Sequence, residues 1–237
     1  MRYIAILFIA IIMFAGRAYG AKVGSPVEAP LVTKAIQAEM RPEQALERLM
    51  VGNERFVKRR RAGQQNYIKK AKLTASGQYP AAVVLSCIDS RVPPEIVFDQ
   101  GVGNIFVTRV AANVLSKDVL GGMEYATAVV GAKLILVMGH EGCGAVTGAC
   151  NDVKLGNLTS LLKKIKPAVK EASEEMKTHD CANSVFIDKI AEDNVVDVVG
   201  AIPKKSSVIR ELLKEKKVKI VGAMYDLDTG RVSIVSE

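Results

Sequence analysis

The chain has 237 residues, enough for one α/β domain with a full core and too few to require two. Its formal charge of +8 does not argue for a nucleic-acid partner. The basic residues are mixed with acids along helical segments such as 161–170 and 204–219, and no aromatic residues are interleaved to stack bases. At the amino end, Arg2 opens a basic region and Tyr3 to Ala15 is almost wholly apolar. Ala18-Tyr19-Gly20 then offers the small residues that signal peptidase reads. About a dozen apolar residues are short for a bilayer span. Residues 1–20 therefore read as a signal peptide cleaved near Gly20, giving a periplasmic or secreted protein without a membrane attachment. Loss of Arg2 and Arg17 would lower the charge from +8 to +6.

Residues 21–40 read as a mixed, partly helical arm with no core pattern of its own, and 41–237 as a single domain. A helix starts near Pro42, whose fixed φ suits a first helical turn. Ala45, Leu49 and Phe56, with Leu46 and Met50, make its apolar stripe, and the basic run Lys58 to Arg61 closes it. Next come a strand at 81–86, a short helix from Pro94 to Phe98, a strand at 104–109, a helix at 118–131 and a strand at 133–138 leading to a turn at His140. Helices follow at 157–170, 183–200 and 205–217. Val218 to Tyr225 is a further strand, and Asp228-Thr229-Gly230 signals a tight turn that returns 231–235 antiparallel. The expected fold is α/β: a mostly parallel sheet of about four strands with an antiparallel edge strand, helices on its faces and a helical arm.

Two segments carry the chemistry: Cys87-Ile88-Asp89-Ser90-Arg91 after the apolar run AAVVLS, and His140-Glu141-Gly142-Cys143 after KLILVMG. Short apolar runs rich in branched residues read as buried parallel strands, and ligands at their carboxyl ends converge on the crevice of an open α/β sheet. Two thiolates, an imidazole and a carboxylate have the softness and number to hold Zn²⁺. Cys143 precedes a helix-like stretch, 145–149, whose amino-terminal field favours a thiolate. The other histidine, His179, lies in the polar segment THDCANS and reads as surface, although with Cys181 it offers a weak site for a stray metal. Cys150 and Cys181 either pair with each other or remain buried thiols.

Together CIDSR and GHEGCG resemble the β-class carbonic anhydrases. The resemblance runs from about Pro42 to the end of the chain, through GVGNIFVTRVAAN, GGMEYA and KIVGAMYDLDTG. It implies that Cys87, His140 and Cys143 hold zinc, that Asp89 and Arg91 form a catalytic dyad, and that CO₂ and bicarbonate are the substrates. It also implies that Gln78, Phe106 and Tyr125 line a cleft built between two protomers, so that the protein is a homodimer or a larger homo-oligomer such as a tetramer. Val110 departs from the asparagine that many members carry after the arginine of this segment, which alters packing near the cleft. Some members close the site with help from a non-catalytic bicarbonate pocket built on a tryptophan three residues before the first cysteine. Here that position is Val84 and the chain has no Trp, so no pocket of that type is expected.

Asp89 has two possible roles: to close the metal site as a fourth ligand, or to pair with Arg91 and leave that position to water. A catalytic zinc needs the open position, and a planar guanidinium holds a carboxylate through two charge-assisted bonds. The expected reaction is reversible hydration of CO₂ by zinc-bound hydroxide. Hydrolysis of CS₂ or COS on the same fold, and a permanently closed structural zinc site, are the alternatives. A nucleotide-binding module is a poorer reading, because the dinucleotide fingerprint and the GK[ST] ending are both missing. Two anionic sulfurs cancel the charge of Zn²⁺, whereas a three-histidine site leaves it intact with a water pKa of about 7. Turnover is therefore expected to rise toward alkaline pH. A flat pH–rate profile in stopped-flow CO₂ hydration, from mildly acidic to alkaline buffer, would contradict this.

Overall fold

Uninterrupted branched and apolar runs leave a strand no face to show to water, and the central strands of this chain are buried on both sides. The structure is a computed structural model that describes residues 29–58 and 67–237. The expected signal peptide, the first part of the arm and the end of the Lys58–Arg61 run lie outside the described residues. Five strands form one sheet in the order β2-β1-β3-β4-β5. They are β1 (Ala82–Ser86), β2 (Ile105–Arg109), β3 (Leu134–His140), β4 (Lys219–Tyr225) and β5 (Val232–Ser236). The first four run parallel, and β5 returns antiparallel to β4.

The period of two divides the core cleanly. Ala82 and Val84 of β1, Leu134, Leu136 and Met138 of β3, and Val221, Ala223 and Tyr225 of β4 face one apolar cluster. Val83, Leu85, Ile135, Val137 and Ile220 face the other. Helices cover both sides: α1 (Lys34–Glu39), α2 (Pro42–Val57), α3 (Tyr67–Thr74), α4 (Pro94–Val97), α5 (Lys117–Glu124), α6 (Gly144–Cys150), α7 (Gly156–Leu162), α8 (Lys166–Met176), α9 (Ser184–Lys205) and α10 (Ser207–Lys214). The first half of α9 packs in one cluster through Phe186, Ile187 and Ile190, and its second half in the other through Val195, Val198 and Ile202. No helix among the described residues is long and apolar enough to cross a membrane.

The fold differs from the sequence expectations at definable places. His140 is the last residue of β3 and not part of a turn, because pairing with β4 continues to His140 opposite Tyr225. The helix expected over 157–170 is two helices, since Pro167 has no N–H for an internal bond and sits in the first turn of α8. Helix 118–131 is α5 followed by a π-helical turn, Tyr125–Val129. The helix at 183–200 runs on to Lys205, and Ser206 stops it by capping α10, its hydroxyl accepting from Ile209 N. α3 carried no periodic signal because its apolar residues Tyr67, Ile68 and Leu73 are exposed. The arm does join the core: Val32 is buried, and its N–H donates to Asn104 Oδ1 at 2.9 Å. Gln37 Nε2 donates to Pro80 O at 2.8 Å, so residues 29–40 are seated on their own chain.

The expected turn after β4 is held by Asp226, whose Oδ1 accepts from the N–H groups of Asp228 and Thr229. Gly230 completes it with φ of 73°. Where α2 crosses α4, a Cβ on Gly52 would lie 1.8 Å from the carbonyl oxygen of Phe98, a backbone atom that cannot step aside. Gly52→Ala is expected to lower the melting temperature by roughly 5 °C or more, as overpacking against rigid neighbours does. Gly200→Ala on α9, where a Cβ meets nothing within 4 Å, should leave it unchanged or raise it. Equal melting temperatures for wild type and Gly52→Ala would show that the helix contact can open.

Candidate metal centre

β1 and β3 are adjacent parallel strands in register, Ser86 opposite Met138, so the residues that follow them emerge at the same end of the sheet. Cys87 comes immediately after β1 and His140 closes β3. Gly142, at φ 57°, makes the sharp reversal that brings Cys143 to the amino end of α6 as its cap residue. The donor atoms of Cys87, His140 and Cys143 lie within 4.8 Å of one another, and all three residues are buried. Sequence spacing thus converges in space on one point at the carboxyl edge of the sheet.

Hydrogen bonds fix the state of each group. His140 Nδ1 lies 2.8 Å from Glu141 O and must donate to it, which makes Nε2 the lone-pair nitrogen. That Nε2 is buried and has no hydrogen-bond partner. Cys87 Sγ accepts from Ala112 N at 3.3 Å. The Cys143 thiol alongside it, with smaller contributions from the neighbouring His140 imidazole and the N–H groups of Asp89 and Ala112, holds the Cys87 thiol far below its usual range, down to about 4, against the opposing effect of burial. The same contact, added to burial, pushes Cys143 upward, although the N–H groups of Val146 and Ala145 pull the other way. Burial alone would lower His140, but the neighbouring Cys87 sulfur and its charge raise it.

A buried imidazole nitrogen without a hydrogen-bond partner beside two sulfurs, one of them made more acidic by its neighbours, is a cradle for a thiophilic dication. The donor set fits zinc. Asp89 stands beside it with Oδ2 3.9 Å from His140 Nε2, yet the carboxylate is committed elsewhere. Arg91 Nε donates to Oδ1 at 2.9 Å, Arg91 Nη2 to Oδ2 at 2.7 Å, and Arg91 N to Oδ1 at 2.9 Å. The guanidinium bonds hold Asp89 well below the usual carboxylate range. Asp89 is partly covered and Arg91 is half exposed, so the pair forms the mouth of the site.

Three supporting residues escaped the sequence reading. Arg109 Nε donates to Cys87 O at 2.8 Å and its Nη2 to Asp89 O, clamping both carbonyls of the first ligand loop. Asp188 Oδ1 accepts from Gly142 N at 2.8 Å and fixes the second loop. Asn194 Nδ2 donates to Ala112 O at 2.9 Å, behind the N–H that reaches Cys87. Arg109 had a signal, because a lone arginine ending an otherwise uncharged strand needs acceptors. The two α9 residues had none.

Gln78, Phe106 and Tyr125 are not brought to the metal centre within one chain. Gln78 is exposed ahead of the amino end of β1, a strand length of roughly 17 Å from the ligands. Phe106 pairs opposite Val83 in mid-strand and packs toward the other cluster. Its ring centroid is 6.2 Å from that of Tyr125, which is half exposed. Val84 is fully buried in the core, and Val110 packs against both apolar clusters. Cys150 and Cys181 form a disulfide.

The comparisons with known proteins agree with this geometry. The family model described as carbonic anhydrase matches residues 82–232. Carbonic anhydrase 2 of Mycobacterium tuberculosis is 36% identical over 195 residues, covering 80% of this chain and 91% of the relative. A carbonic anhydrase of Mycolicibacterium smegmatis is 36% identical over 200 residues, covering 82% and 94%. Among solved structures, a tetrameric β-carbonic anhydrase of Sordaria macrospora superposes with a TM-score of 0.64 at 26% identity, covering 80% of this chain and 95% of that one. The chain belongs to the β-class carbonic anhydrases.

Proposed function

We propose that this enzyme hydrates CO₂ reversibly to bicarbonate and a proton, with zinc held by Cys87 Sγ, His140 Nε2 and Cys143 Sγ. The observation that carries the reading is a single pair of facts: the buried His140 Nε2 has no partner, and the neighbouring Asp89 is bound to Arg91 instead of turning to fill the gap. A zinc ion held by these three residues would supply the Lewis acidity that makes a water acidic enough to act near neutral to alkaline pH. Asp89, kept ionised by Arg91, accepts a hydrogen bond from the attacking water and orients it toward CO₂. Arg91 holds that carboxylate in place and keeps it from acting as a fourth, closing ligand.

Gln78, Phe106 and Tyr125 complete the cleft from a second copy of the chain, an amide for the substrate oxygens and an apolar wall for CO₂ itself. Their distance from the ligands of their own chain supports this arrangement, as do the exposed apolar side chains of Ile88, Tyr125 and Val129. The assembly is a homodimer or a multiple of one. Export to an oxidising compartment fits the Cys150–Cys181 disulfide.

Two arginine variants separate the roles. Arg91→Ala should keep one zinc per chain and lose about 100-fold or more in CO₂ hydration, the usual weight of a positioned proton acceptor. Arg109→Ala should instead lower both metal content and melting temperature, since charge-assisted bonds to two buried carbonyls contribute about 1.5–3 kcal/mol each. Stopped-flow hydration with zinc measured on the same samples checks both. Full activity in Arg91→Ala, or a zinc-loaded wild type without CO₂ hydration, would overturn the proposal.

A further inference from the structure

A second cluster of soft donors lies outside the centre described above. Cys150 Sγ, Cys181 Sγ and a ring nitrogen of His179 are within 4.8 Å of one another. Cys150 ends α6 and is buried, Cys181 is half-buried in the segment leading to α9, and His179 is exposed. The sulfurs are joined as a disulfide. A disulfide sulfur carries no thiolate charge and is a poor ligand, so the pair can hold a metal only when reduced.

The histidine is held as a ligand would be. Ser173 donates its hydroxyl to Val169 O at 2.7 Å, so its oxygen is left to accept from His179 Nδ1 at 3.1 Å. One ring nitrogen is therefore protonated and the other keeps its lone pair, the same division that the backbone imposes on His140. An edge contact with Phe186, with centroids 6.0 Å apart, fixes the plane of the ring. The surroundings also suit a cation. Cys150 sits at the carboxyl end of α6, where orphan carbonyls concentrate negative potential. The Asp152 carboxylate is close enough to respond to charge on His179, although Lys166 engages it at 2.5 Å.

We infer that Cys150, His179 and Cys181 form a redox-gated second metal site, a disulfide when oxidised and a thiolate–imidazole site for Zn²⁺ when reduced. A small dithiol reductant attacks the more accessible Cys181 sulfur and the Cys150 sulfur leaves. The reductant's second thiol then releases Cys181, so that two electrons and two protons pass to the protein and the reductant ends as its own disulfide. Zn²⁺ then displaces the two thiol protons, with water completing its coordination. This inference does not depend on the catalytic role given to the first site.

The test is metal stoichiometry on the metal-stripped full chain, titrated with Zn²⁺, and with Co²⁺ for its thiolate absorption, before and after treatment with a phosphine. The phosphine reduces the disulfide and takes its oxygen from water. One equivalent is expected for the oxidised chain and two for the reduced chain. Cys181→Ser should return the reduced chain to one equivalent, and His179→Ala, an exposed change that spares the core, should weaken the second equivalent by about 10–100-fold. A reduced chain that takes one equivalent, or a second equivalent that survives Cys181→Ser, would overturn the inference. If the oxidised chain takes none and the reduced chain takes one that Cys181→Ser abolishes, the second site stands and the zinc reading of Cys87, His140 and Cys143 fails.

Discussion

Two sulfurs and an imidazole nitrogen are crowded into one buried pocket at the carboxyl edge of the sheet, and the surrounding structure answers the charge this creates. Desolvating an anion is costly unless hydrogen bonds or a cation compensate. Cys87 receives the N–H of Ala112, and Cys143 receives those of Ala145 and Val146. Ala112 and Asn113 adopt φ of 51° and 44°, a region that L residues seldom occupy, and Ala112 turns its N–H onto the sulfur in that conformation. Strain of this kind persists where the neighbours over-determine it. Here Asn194 holds the Ala112 carbonyl from behind. The donors improve the pocket for one negative charge but not for two, so a dication is the natural complement of two thiolates there.

The same constraint explains the division of labour among the elements. β1 and β3 deliver the ligands, but strand ends alone leave two short loops free to spread. Arg109, at the end of β2, ties the first loop through two carbonyls, and Asp188 on α9 ties the second through Gly142 N. Asp188 and Asn194 are six residues apart, about 9 Å along a helix, so one rod supports both thiolate loops. α9 is itself anchored in both apolar clusters and approaches β3 so closely that a Cβ on Gly139 would come 2.7 Å from Val195. Rigidity at the metal centre is therefore borrowed from the core.

The sequence was most legible where one residue type has one local meaning. Apolar runs before Cys87 and His140 gave the central strands and their parallel order, and the Asp228–Gly230 turn gave the antiparallel edge. It was less legible where a partner far along the chain decides the outcome. The extension of β3 to His140 depends on Tyr225, and the capture of Val32 by the core depends on Asn104. Pro167 was visible within the helix expected over 157–170, but its place in a first turn depends on where the second helix begins. Asp188 and Asn194 lie on a long helix among other polar residues, and nothing local marks them as supports for loops 46 and 82 residues away. Gln78, Phe106 and Tyr125 are a different case, since their own chain keeps them away from the ligands.

Asp89 shows how a carboxylate beside a metal cradle can be kept off it. A metal ion in the cradle would compete with Arg91 for the group, but the guanidinium already holds it with two side-chain bonds, reinforced by the backbone N–H of Arg91 to the same carboxylate. These bonds hold the carboxyl well below its usual range and favour its ionised form. Its position is then set by Arg91 and not by its own protonation. The same guanidinium reaches the turn at Gly142, whose carbonyl lies 3.5 Å from Nη2. That turn is the one Asp188 fixes from α9, so the Asp89–Arg91 pair at the mouth touches the same support that presents Cys143.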